Sequence, residues 1–122
     1  AAARAAQLDA TALARLSELD PKGENQLLER VFKAFETSSA RLLPQLDEAH
    51  ARADLAGIRH VAHTLKSSSA SIGAVSLSQQ CAELESMIRL EKVTDLDARV
   101  RALRHEVENV IEALRQLLNR KT

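Results

Sequence analysis

Residues 63–74 read HTLKSSSASIGA: a histidine, a lysine three positions on, then serines and alanines with one glycine. On a helix, His63 has Arg59, Lys66, Ser67 and Ala70 as its neighbours at i−4, i+3, i+4 and i+7. Two are cationic and two are small. Exposed helix positions are ordinarily filled by long, helix-favouring side chains. Small ones here leave a depression around the imidazole, open to another protein's surface or to a bulky anion, with Lys66 and Arg59 offering positive charge. An exposed imidazole titrates near about 6.5, so at neutral pH most of it carries a nucleophilic nitrogen lone pair. That is what accepting a phosphoryl group requires.

The chain holds no phosphate source of its own. A G-x-x-x-x-G-K-[ST] loop is missing from the sequence, and three glycines are too few to build a Gly-rich lid. The domain therefore needs no cofactor, and a donor must bring the phosphate together with any Mg²⁺. Phosphoryl transfer depends mostly on positioning and charge neutralisation, so a helix face carrying His63 and Lys66 can serve as the acceptor half of a shared site.

Other readings are weaker. His60 is a rival nucleophile on the solvent side, without comparable surroundings. His60 with His63 would offer two imidazoles to a metal, yet no nearby Cys or convergent carboxylate pair completes a ligand set. Ser67, Ser68, Ser69 and Ser71 have no acid–histidine relay beside them. Cys81 falls on an apolar arc and reads as a small buried hydrophobe. His50 and His105 read as members of solvated faces.

The elements that must hold this site are all helical, since Gly and Pro number 3 and 2 while Ala, Leu, Arg and Glu abound. A short first stretch is expected from Asp9, with Leu8 and Leu13 as its hydrophobic staple, to Asp20-Pro21. A second runs from about Glu24 to His50 with Leu28, Val31, Phe35, Leu42 and Leu46 near one face, and Pro44 is expected to kink it. The third starts near the capping residue Asp54 and places Ile58, Ala62, Leu65, Ser69 and Ile72 in one arc, so His63 faces water. Gly73 closes it, and Ser76 with Gln79 reads as a capping box for the fourth, whose apolar positions are Leu77, Cys81, Leu84 and Ile88. The fifth begins around Thr94 or Asp95 and repeats through Leu96, Val100, Leu103, Val107, Val110 or Ile111, Leu114 and Leu118. This predicts an all-α, antiparallel up-down-up-down four-helix bundle with a short accessory N-terminal helix, a linker tail at 1–7 and the domain over 8–122.

Composition narrows the partners. Lys+Arg and Asp+Glu are 17 each, so the net charge is +0, and the aromatic residues are two Phe with no Tyr or Trp. Neither a basic field nor base-stacking platforms favour nucleic acid. No apolar run approaches the roughly 20 residues of a membrane span, and one cysteine forms no internal disulfide, so a cytoplasmic monomer is the expectation. The opening AAARAAQ lacks a signal-peptide apolar region and reads as a tail left from a longer chain.

The stretch AHTLKSSSASIGAVSLSQQCAELE, Ala62 to Glu85, resembles the signature of histidine-containing phosphotransfer domains: H-x-L-K, a small-residue run, a hydrophobe-Gly pair, then a Cys or Ala and a Leu-Glu. The likeness extends over nearly the whole chain. It implies a four-helix bundle that shuttles phosphate between aspartates of response-regulator receiver domains, often as the C-terminal module of a hybrid sensor kinase. It makes His63 the phosphorylated residue through Nε2, Lys66 the cation steadying the phosphoryl oxygens, and Glu85 the group that orients the imidazole. A partner is then expected over Ala56, Arg59, His60, Ser67 and Ala70, with Mg²⁺ in the receiver. Many members have Gly where this chain has Ser67. Two rival functions fit the same residues: a chemotaxis-type substrate domain phosphorylated directly by an ATP-binding module, and a non-phosphorylated helical adaptor.

Overall fold

The computed structural model describes residues 27–121. The expected tail, the short first helix and the start of the second at Glu24 lie outside the described residues. Within them, four helices follow in order: α1 Leu27–Ala51, α2 Leu55–Ser71, α3 Val75–Arg89 and α4 Leu96–Lys121. Each packs on its neighbour in sequence, and α4 returns against α1, closing a four-helix bundle. No helix among the described residues is long and apolar enough to cross a membrane.

The apolar arcs become the core. Ile58, Ala62, Leu65, Ser69 and Ile72 of α2 are all buried, as are Leu77, Cys81, Leu84 and Ile88 of α3 and Val100, Leu103, Val107, Val110 and Leu114 of α4. Removing each large aliphatic side chain from water contributes about 1.5–3 kcal/mol, which outweighs the modest helix propensity of β-branched and serine positions. From α1, Phe35, Leu42 and Leu46 enter the core as expected, joined by Phe32 and Ala49. Pro44 does not interrupt α1. It is exposed, and so is Ala40, the residue whose carbonyl loses its i+4 donor.

Three connections share one hydrogen-bond pattern. At the end of α1, Ala53 N–H donates to His50 O at 3.1 Å and Asp54 N–H to Ala49 O at 2.8 Å. At the end of α2, Gly73 N–H donates to Ala70 O at 3.2 Å and Ala74 N–H to Ser69 O at 2.9 Å. At the end of α3, Glu91 N–H donates to Ile88 O at 3.1 Å and Lys92 N–H to Met87 O at 2.9 Å. These are Schellman motifs, which require a left-handed residue after the helix. Ala53, Gly73 and Glu91 supply it with φ of 54°, 74° and 57°.

The Gly73 turn also corrects the expected capping box. Ala74 completes the Schellman motif and at once serves as N-cap of α3, without a side-chain cap bond. Ser76 is thereby drawn inside the first turn, so it has no cap to form with Gln79. Asp54 caps α2 as expected, its Oδ1 accepting from Gly57 N–H at 3.1 Å. Gly57 lets α1 approach: a Cβ there would lie 2.6 Å from Asp54 Oδ2 and 3.0 Å from Ala49 Cβ.

His50 is not merely solvated. Its Nε2 meets Asp97 Oδ1 at 2.5 Å, tying the last turn of α1 to the first of α4. Arg104–Asp47 and Arg115–Glu36 bridge the same two helices at 2.7 and 3.0 Å. Being exposed, these pairs contribute little each. His105 is exposed, as expected.

Candidate functional site

Burying Ile58, Ala62 and Leu65 turns the opposite face of α2 outward, and His63 stands there with 63% of its side chain exposed. The run of small residues after it is explained by local bonding. Ser68, Ser69 and Ser71 each donate to the carbonyl four residues back, on Thr64, Leu65 and Ser67. Their hydroxyls are thus engaged by the helix itself. Ser78 Oγ of α3 donates to Lys66 O at 3.3 Å, helping to fix α3 beside this face.

That docking brings Glu85 of α3 to the imidazole. Its side chain is 14% exposed, and its two oxygens are divided between two residues of α2. His63 Nδ1 donates to Oε2 at 2.6 Å, and Lys66 Nζ donates to Oε1 at 2.5 Å. An ionised carboxylate only accepts, so the proton of the neutral ring resides on Nδ1 and the lone pair on Nε2. The Lys66 hydrogen bond, aided by that of His63, holds the Glu85 carboxyl below its ordinary range, against the opposing effect of partial burial. Glu85 is therefore a persistent anion, the state its orienting bond needs.

Beneath Glu85, the Cys81 thiol is buried, and burial followed by the Glu85 charge pushes its pKa up to about 12, with Lys66 acting in the opposite sense. It stays a protonated thiol at neutral pH and belongs to the core.

Two shallow depressions flank the imidazole. One, about 480 Å³, is lined by Ala56, Arg59, His60, His63, Glu85 and Ile88. The other, about 320 Å³, is lined by Arg59, His63, Lys66, Glu85 and, from α3, Ala82, Ser86 and Arg89. Ala56, Arg59 and His60 thus surround His63, whereas Ser67 and Ala70 are exposed on α2 but line neither depression. Lys66 does not stand free for an arriving anion, since one of its N–H donors is held by Glu85. Ala82, Ser86 and Arg89 were not anticipated from sequence. The signal lay in their spacing with Glu85, which puts small residues and a cation on one face of α3. Among the described residues, no group of three His, Cys, Asp or Glu side chains is placed to hold a metal ion.

The family model described as Hpt domain matches residues 30–119. Among solved structures, the chain is similar to histidine-containing phosphotransfer protein B from Pseudomonas aeruginosa PAO1, with 29% identity and a TM-score of 0.82 over 96% of this chain and 98% of that one. No curated protein sequence matches.

Proposed function

The chain belongs to the Hpt domain family, the histidine phosphotransfer modules of two-component phosphorelays, and on that premise we propose that His63 is its phosphate carrier. Nε2 attacks the phosphorus of a receiver domain's aspartyl phosphate. The P–O bond breaks, the aspartate leaves as a carboxylate, and a P–Nε2 bond forms. The ring then carries positive charge with its proton still on Nδ1, facing the Glu85 anion 2.6 Å away. Reversal of these steps onto a second receiver's aspartate discharges the domain. Each receiver contributes its own Mg²⁺, so the isolated domain is a transfer intermediate and not a self-sufficient enzyme.

The observation that supports this reading most is the bond from an exposed imidazole to a nearly covered carboxylate, which frees Nε2 toward solvent while fixing the ring. Lys66 keeps Glu85 ionised and has two N–H donors left for phosphoryl oxygens. Ala56, Arg59 and His60 offer the approach surface for the receiver, with Ser67 and Ala70 further along the same helix.

The test mixes the purified domain with radiolabelled phospho-receivers and follows acid-labile, alkali-stable label. The expected outcome is label on the native domain and none on His63→Gln. Label persisting on that variant would overturn the assignment.

A further inference from the structure

We propose that His60 and His63 form an exchangeable site for a divalent transition-metal ion such as Zn²⁺, which takes the Nε2 lone pair of His63 and so competes with phosphorylation. The metal site stands on geometry alone, whereas the competition rests on His63 being the phosphate acceptor.

Both histidines line the depression of about 480 Å³, whereas His50 and His105 do not. Spaced i, i+3 on one face of α2, they have Cβ atoms about 5–6 Å apart. Imidazole nitrogens hold Zn²⁺ at about 2.0–2.1 Å, so one ion can bridge the pair. Helical side chains lean toward the N-terminus, which carries the His63 ring over the turn that holds His60.

His63 is prepared as a ligand. Its Nδ1 donates to Glu85 at 2.6 Å, and a carboxylate in that place fixes the tautomer and raises the basicity of a metal-bound imidazole. The exposed His60 ring has no hydrogen bond or ion pair among the described residues, so it turns to an ion without breaking one. Ala56, one turn earlier on the same wall, leaves room for the waters that complete the coordination. Two protein ligands beside the Arg59 charge do not retain a resident ion. They make a site that fills and empties with the free metal concentration. Imidazole selects Zn²⁺, Cu²⁺ or Ni²⁺ over Mg²⁺, which takes oxygen ligands, so the Mg²⁺ of a receiver leaves the pair alone. Nε2 has a single in-plane lone pair, and its bond to a metal excludes a bond to phosphorus.

The test titrates Zn²⁺ alone, with Mg²⁺ as control, into ¹⁵N-labelled domain and follows the ring nitrogens of all four histidines. The His60 and His63 signals are expected to shift together and saturate with a single ion, while His50, His105 and the Mg²⁺ control stay unmoved. H60Q and E85Q are each expected to weaken Zn²⁺ by about ten-fold or more. Unchanged affinity in H60Q, or shifts spread over every histidine, overturns the site. Phosphorylation by phosphoramidate, in which Nε2 takes the phosphoryl group and ammonia leaves, is then followed with and without Zn²⁺. Relative to its own metal-free rate, the native domain is expected to be slowed several-fold and H60Q much less. Zn²⁺ bound to the pair without slowing the native domain overturns the competition. Absence of phosphate on His63 without metal overturns the acceptor reading and the competition with it, and the ring shifts still decide the site.

Discussion

Glu85 holds the Nδ1 edge of His63 from the neighbouring helix at 2.6 Å, while its other oxygen takes Lys66 from the same face of α2. The two roles of this carboxylate separate by substitution. Glu85→Gln keeps an amide oxygen that can accept from Nδ1–H, so transfer of label to His63 is expected to fall only slightly. Glu85→Ala removes the acceptor and frees the ring to rotate, with an expected loss of about ten-fold in initial rate. Equal rates in the two variants would mean that the hydrogen bond does not orient the ring.

The same carboxylate makes stability depend on acid. Its pKa in the folded domain is lowered, first by the Lys66 hydrogen bond, from an ordinary value of 4.5 in the unfolded chain. The unfolded state therefore binds the proton more readily. Its stabilising contribution is present above 4.5 and is lost as pH falls through the folded value. Urea midpoints of the native domain and Glu85→Gln are expected to differ at neutral pH and to converge on acidification. A gap that widens in acid would reverse the sign of the argument.

Gly57→Ala should raise helix propensity by about 1 kcal/mol, yet a net destabilisation is expected. The new methyl would press on Asp54 Oδ2 and Ala49 Cβ, displacing the cap and the packing of α1 on α2. Losing the cap alone costs about 1 kcal/mol. In an Asp54→Ala background the same substitution is expected to cost less, because one of its two collisions has gone. Additive thermal shifts in this cycle would place the whole clash at Ala49.

Ala53 and Glu91 occupy left-handed backbone with φ of 54° and 57°. A side chain costs about 1–2 kcal/mol there, and glycine's greater freedom in the unfolded chain offsets part of the gain. Ala53→Gly and Glu91→Gly are each expected to stabilise the domain by about 0.5 kcal/mol, read from denaturant midpoints. Gly73→Ala is expected to move the other way.

The helices and their buried arcs were legible because period and burial coincide: every apolar position assigned to α3 is in the core. His63, Lys66 and Glu85 were legible because their pattern is local or familiar. What escaped depends on how one helix meets another. Nothing in a linear reading says that Lys66 would spend a donor on Glu85, or that His50 would reach Asp97 across the bundle. That Arg89 lines a depression with Arg59 likewise depends on how α3 lies against α2. The Schellman turns at Ala53 and Glu91 escaped because neither residue is a glycine, so only backbone geometry reveals them.

The turn at Gly73 leaves no slack between α2 and α3, since Ala74 ends one motif and begins the next helix. The angular phase of α3 is thus clocked by the length of that connection. Inserting a single residue after Gly73 would rotate α3 by about 100° and swing Glu85 off the ring. The choice of which imidazole nitrogen is bonded and which is left free is then set at a corner of the backbone away from the ring itself.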